Sequence, residues 1–204
     1  MRFRPILYLW ISGLVFVGCS ERQPPARGTL SSEDSLVQER RTKDAFFKSD
    51  KESPLLVQDR KNFQGLSYYP VDPAFRFQVA LQRYVMPQQI RMATNTGEIR
   101  SGLLYGFFEI TVNAQICKVQ AYRLDDTAEP SLFIPFRDAT SGTETYGAGR
   151  YIDLKENTSG VYDLDFNRAY NPYCAYNPTY SCPRPPAENI LAVPIRAGEK
   201  KYPN

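Results

Sequence analysis

The chain has 204 residues, with 25 basic and 22 acidic side chains, a formal charge of +3 and no histidine. The absence of histidine excludes Ser-His and Cys-His nucleophile pairs, imidazole general bases and histidine-containing zinc sets. A charge this close to balance, with Lys and Arg scattered along the chain, gives no footprint for nucleic acid.

The first element is an export signal. "MRFRPILYLWISGLVFVG" sets Arg2 and Arg4 before an apolar run from Ile6 to Gly18, too short to span a bilayer comfortably. Phe16-Val17-Gly18-Cys19 resembles a bacterial lipobox, with Phe16 standing where Leu is usual. Small Gly18 permits cleavage, and the Cys19 thiol would carry the lipid. Residues 1–18 are thus expected to be a lipoprotein signal peptide, and the mature protein a lipid-anchored component of the bacterial cell envelope. Ser20, rather than an aspartate, after the cysteine points to the outer membrane over the inner one. Cleavage removes two arginines and no acid, taking the formal charge from +3 to +1. Residues 19–31 read as a polar, proline-containing tether, and residues 32–204 as one globular domain.

"SSEDSLVQERRTKDAFFKSD" predicts a helix, capped by Ser31 or Ser32 and with Glu33 and Asp34 in its first turn. Leu36, Val37, Phe46 and Phe47 supply its apolar face. A proline-bounded connector with a short helical turn near residues 56–62 follows. "AFRFQVALQ" then alternates, with Phe75, Phe77, Val79 and Leu81 on one face. Further strands are expected in "QIRMAT", "IRSGLLYGFFEITV", "ICKVQAYRL", "SLFIPF", "RYIDL", "VYDLDFN" and "ILAVPIRA". No helical period separates them. The expected fold is therefore mainly β: an antiparallel sandwich or open barrel of about eight strands with a flanking N-terminal helix.

Three stretches carry the chemistry. "FRDATSGTETYGAGRY" sets Arg137, Asp138, Glu144, Tyr146 and Arg150 around three glycines in a loop between strands. Its glycine spacing matches no phosphate loop. It is either a ligand site or a loop fastened by ion pairs. In "DLDFN", Asp163, Asp165 and Asn167 share a strand face. Arg168 and Cys174 stand where a calcium loop needs its Gly and Glu, so no metal is assigned, and no cofactor motif is present. "AYNPYCAYNPTYSCPRPPAEN" brings Tyr170, Tyr173, Tyr176 and Tyr180 into a proline-rich segment: a disulfide-stapled rim, a stacking platform for a glycan, or simple packing. In an oxidising compartment Cys174 and Cys182 are expected to form a disulfide, leaving Cys117 free.

"PFRDATSGTETYGAGRYIDL", "LDFNRAYNPYCAYN" and "CPRPPAENILAVPIRAGEK", with "FQGLSYYPVDP" and "TNTGEIR" upstream, together resemble the domain-of-unknown-function family 1684 over roughly residues 38–200. The resemblance implies an uncharacterised envelope protein and supplies no catalytic residues. Positions that match its motifs mark the candidates: Arg137, Asp138, Glu144, Tyr146, Arg150, Asp165, Asn167 and Glu188. The leading expectation is a lipoprotein binding a small polar ligand or glycan in a polar centre built by the 137–150 and 165–189 loops. The alternatives are a carboxylate-dependent hydrolase or lyase of envelope material, and a structural partner of another envelope protein.

Overall fold

The computed structural model describes residues 32–127 and 129–203. The expected signal peptide, Cys19 and the tether lie outside the described residues. Helix α1, Ser32–Ser49, carries Glu33 and Asp34 in its first turn and Lys48 in its last, each sign suited to its end of the helix dipole. A single turn, α2 (Val57–Arg60), follows in the connector. Among the described residues no helix is long and apolar enough to cross a membrane.

The remainder is mainly β. Strands β2 (Gln82–Ala93), β3 (Ile99–Val112), β4 (Gln115–Leu124), β5 (Ser131–Phe136) and β6 (Arg150–Lys155) form an antiparallel sheet in chain order. A second ribbon pairs β1 (Arg76–Ala80) with β7 (Val161–Asp165), also antiparallel. The β3–β4 hairpin turns on Asn113 and Ala114, at φ of 49° and 61°, the double left-handed conformation of a two-residue hairpin whose twist matches its strands.

The two sheets enclose the main core, in which Phe108, Ile110, Val119, Leu132, Ile134 and Phe136 meet Tyr162, Leu164 and Phe166. Among the described residues no closed barrel forms. Phe75, Phe77, Val79 and Leu81 all join this core, as the alternation requires. The expected first strand ends at Ala80, however, and Gln82 already belongs to the large sheet.

The eighth expected strand, "ILAVPIRA", is absent, which leaves seven among the described residues. Its alternation is nevertheless real: Leu191, Val193, Ile195 and Ala197 are buried. Its backbone pairing is short: Arg137 and Ala139 bond to Asn189, Leu191 and Val193, and among the described residues no ladder continues beyond Val193. The Arg150 guanidinium donates instead to the carbonyls of Ile195, Ala197 and Glu199. These are alternate carbonyls, which an extended chain turns to one side. One side chain thus continues, from Ile195 onward, the pairing that residues 137–139 begin.

A similar substitution closes the sheet. Strands β4 and β5 share a single paired position, Tyr122 with Phe133. Into the gap beside it the buried Asn189 amide inserts, donating to Gln120 O at 2.9 Å and Pro135 O at 2.8 Å and accepting from Gln120 N at 2.7 Å. Buried peptide groups must be satisfied, and here an amide side chain satisfies them.

Cys174 and Cys182 are free thiols rather than the expected disulfide. They are neighbours, with the Cys174 backbone N–H donating to Cys182 Sγ at 3.3 Å. The turns that carry them are held by backbone bonds, Asn95 N to Cys182 O at 3.1 Å and Tyr176 N to Tyr173 O at 3.0 Å, and by the Asn95 side chain, whose Oδ1 accepts from Cys182 N at 2.7 Å.

Candidate functional site

The expected polar centre is a set of fasteners. Asp138 and Arg150 form an ion pair at 2.9 Å with both side chains at 0 % exposure. The other Asp138 oxygen accepts from Thr140 N at 2.8 Å, Thr140 Oγ1 at 2.6 Å and Ile195 N at 3.2 Å. The Thr140 carbonyl in turn receives the amides of Thr143, Glu144 and Thr145. Gly149, at φ 105°, lies where a Cβ would stand 2.6 Å from the Phe136 carbonyl, so no other residue fits without displacing backbone. The pair has no room for a ligand.

The other candidates are scattered around this knot. Glu144 lies nearer the surface, accepting from Arg196 at 2.9 Å and from the Tyr69 hydroxyl at 3.0 Å. The Arg196 bonds, then that of Tyr69, hold its carboxyl below the ordinary range. Arg137 is exposed, and its backbone bonds to Asn189 and Leu191. Tyr146 reaches Cys174 Sγ at 3.8 Å, and burial pushes its hydroxyl up to about 12. Asp165 caps the short turn after β7, accepting from Asn167 N at 2.9 Å. Asn167 completes the connector by bonding both Asp72 N and Asp72 O at 2.9 Å. Glu188 stands exposed in the turn at 187–189. Asp138, Glu144 and Asp165 thus have separate partners, and none of these contacts opens onto a shared cavity.

The cavity is elsewhere. On the opposite face of the large sheet, Met92, Tyr122, Phe133 and Tyr151 make a second apolar cluster with Tyr170 against it. Beside this cluster opens a cleft of about 600 Å³ lined by Phe133, Tyr151, Tyr170, Tyr173, Tyr180 and Cys182, with Lys43, Arg100 and Asp126 among its polar groups. The sequence places it. "SLFIPF" is apolar on both faces, so β5 must be covered on both sides. Phe133 points to the cleft side and Ile134 to the main core.

The rings form an edge-to-face series. Phe133 and Tyr151 lie 4.7 Å apart, Tyr151 and Tyr170 5.8 Å, and Tyr173 and Tyr180 5.2 Å. Hydroxyls fix the arrangement: Tyr151 donates to the Pro183 carbonyl and Tyr170 to Asp153. Desolvation raises the Asp153 carboxyl, an effect that the Tyr170 bond partly offsets. Lys43, on α1, holds its ammonium 5.1 Å from the Tyr170 ring centre while paired with Glu199. Arg100 pairs with Asp126 on the lining, with both side chains accessible. The tyrosine-rich segment is therefore divided. Tyr170, Tyr173 and Tyr180 face the cleft, whereas Tyr176 turns inward beside Phe47 at 4.8 Å.

Lys43, Arg100, Asp126, Phe133 and Tyr151 carried no signal as site residues, because they come from α1 and from strand ends far apart in the chain. Such an arrangement offers flat apolar faces with hydroxyls, one ion pair and a cation at hand. It suits a ligand with ring faces and polar edges. Among the described residues no group of three or more Cys, Asp or Glu is placed to hold a metal ion.

Comparison with known proteins agrees with this architecture. A family model, that of a protein of unknown function (DUF1684), matches residues 61–200. A solution NMR structure of an uncharacterized protein from gene locus rrnAC0354 of Haloarcula marismortui is similar at 34 % identity and a TM-score of 0.65, covering 82 % of this chain and 93 % of the archaeal one. No curated protein matches.

Proposed function

The chain belongs to the DUF1684 family, and from that premise we propose that it is a binding domain taking a small glycan in the aromatic cleft. The observation that supports this reading is the set of rings lining one cavity of about 600 Å³, with Arg100 and Asp126 beside them. Sugar rings present apolar C–H faces and hydroxyl edges. Tyr173 and Tyr180 supply the flat surface for the first, and the Arg100–Asp126 pair offers both a donor and an acceptor for the second. A carboxylate-pair hydrolase gains no comparable support, since Asp138, Glu144 and Asp165 each have separate partners and share no cavity.

Titration of the protein with a panel of mono- and oligosaccharides, followed by NMR, tests the reading. Binding should perturb resonances of Tyr170, Tyr173 and Tyr180. Tyr180→Ala should weaken affinity about tenfold, or ~1.4 kcal/mol, with its melting curve little changed. Perturbations confined to other surfaces, or none across the panel, would overturn it.

The same proposal places the domain at the envelope. Its support is Arg2, Arg4, the apolar run to Gly18 and the cysteine that follows. Cys19→Ser should then release the protein from the membrane fraction and block processing of the signal. Unchanged fractionation would remove the anchor from the proposal.

A further inference from the structure

We propose that Cys182 and Cys174 form a thiol–disulfide exchange centre, in which Cys182 attacks a small-molecule disulfide from the aromatic cleft and Cys174 resolves the adduct. The geometry is independent of what else occupies the cleft. Cys182 lines the aromatic cleft, whereas Cys174 lines a second cleft with Tyr176, Pro178 and Tyr202. The two thiols are thus neighbours that line different cavities. Exchange proceeds through a mixed disulfide, and the attacking and departing sulfurs lie on opposite sides of the sulfur between them. A second thiol beside the first, lining a cavity other than the one that admits the small disulfide, can serve as the resolving sulfur in this step.

The surroundings favour Cys182 as the attacking sulfur. Its Sγ accepts the Cys174 backbone N–H at 3.3 Å. The hydrogen bond from the Cys174 thiol, with those from the backbone N–H groups of Cys174 and Tyr173, makes its thiol more acidic than an ordinary cysteine, against the opposing effect of burial. The Cys174 thiol is raised, first by that same bond and then by burial. The thiolate is the reactive form, so the two sulfurs are already unequal. Asn95 holds the Cys182 amide at 2.7 Å, and Tyr173 and Tyr180 flank the pair with their rings 5.2 Å apart.

In the first step the Cys182 thiolate displaces one thiolate from the small disulfide and forms the mixed disulfide. In the second, Cys174 loses its proton to solvent and attacks Cys182 Sγ. The Cys174–Cys182 bond forms, and the second small thiolate leaves into the cleft. The protein gives up two electrons, and the small disulfide becomes two thiols.

The test uses the reduced protein and oxidised glutathione, with acid quenching, alkylation and peptide mass analysis. The unaltered chain should acquire a 174–182 cross-link without lasting glutathione adduct, while Cys117 stays alkylatable. Cys174→Ser should trap glutathione on Cys182. Cys182→Ser should acquire an adduct on Cys174 at least tenfold more slowly. A chain that stays reduced, or two variants that take up glutathione at equal rates, would overturn the proposal. The first measurement needs no variant and therefore stands even if either substitution disturbs folding.

Discussion

At the scale of single residues, the most informative side chain is Arg150, whose chemistry reads two ways from the sequence. An arginine between glycines and hydroxyls suits an anion site. Equally, a guanidinium with five donors in a planar fork suits a set of converging carbonyls. The position of those carbonyls decides between the two, and they come from residues 195–199, far along the chain. Its charge is balanced by Asp138 with no exposure on either side. Removing one member of a buried pair leaves the other uncompensated, at a cost of about 3–5 kcal/mol. Asp138→Asn keeps the shape and removes the charge, so its melting temperature should fall by about 6 °C or more. Glu144→Gln changes an accessible pair with Arg196, and such pairs contribute little. Its melting curve should be nearly unmoved. Parallel thermal melts check both, and equal losses would mean that Glu144 is as much a fastener as Asp138.

At the scale of elements, α1 was legible in position but not in purpose. Its periodic face runs Leu36, Arg40, Lys43 and Phe47, and only the two ends of that stripe are apolar. Leu36 and Phe47 are buried as the pattern requires, whereas Val37 is exposed. The middle of the stripe is charged and faces the β domain all the same. Arg40 donates to the carbonyls of Tyr69 and Asn167, each at 3.1 Å, and Lys43 meets Glu199. Glu199 is 1 % exposed, and it also accepts from the Tyr176 hydroxyl at 2.6 Å and from Asn171 N at 2.8 Å. Burial of a carboxylate is tolerated where donors converge on it in this way. Hydropathy treats Arg40, Lys43 and Glu199 as solvent-facing, because burial of charge is tolerated only when partners converge, and convergence is a tertiary property. The strands show the same division. Alternation identified the inward residues of β1, while the β4–β5 gap and its Asn189 bridge were hidden, since an amide that replaces a peptide bond has no periodic signature.

At the scale of the whole molecule, the C-terminal segment joins these observations. Its period of two was visible, and it led to an eighth strand that does not exist. Pro194 has no N–H to give to a ladder, and beyond the short pairing with residues 137–139 it is Arg150 that meets the carbonyls of Ile195, Ala197 and Glu199. The segment therefore lies across the open side of the core as an extended strap. Leu191, Val193 and Ile195 are among its most buried apolar side chains. Complete burial of such side chains stabilises by about 1.5–3 kcal/mol each, or roughly 5–9 kcal/mol for the three. That is comparable with the ~5–15 kcal/mol by which whole domains are stable. The strap also brings the carbonyls that satisfy Arg150 and the carboxylate that receives Lys43 and Tyr176. A chain ending at Asn189 should consequently lose its cooperative thermal transition and bind a hydrophobic dye, as measured by calorimetry and fluorescence. A chain retaining Ile190–Lys200 but lacking the last four residues should melt cooperatively, because Glu199 and every strap carbonyl that Arg150 reads remain in place. If the shorter chain instead unfolds in a sharp transition near that of the full chain, the two sheets hold their core without the strap, and Arg150 is an accessory rather than a keystone.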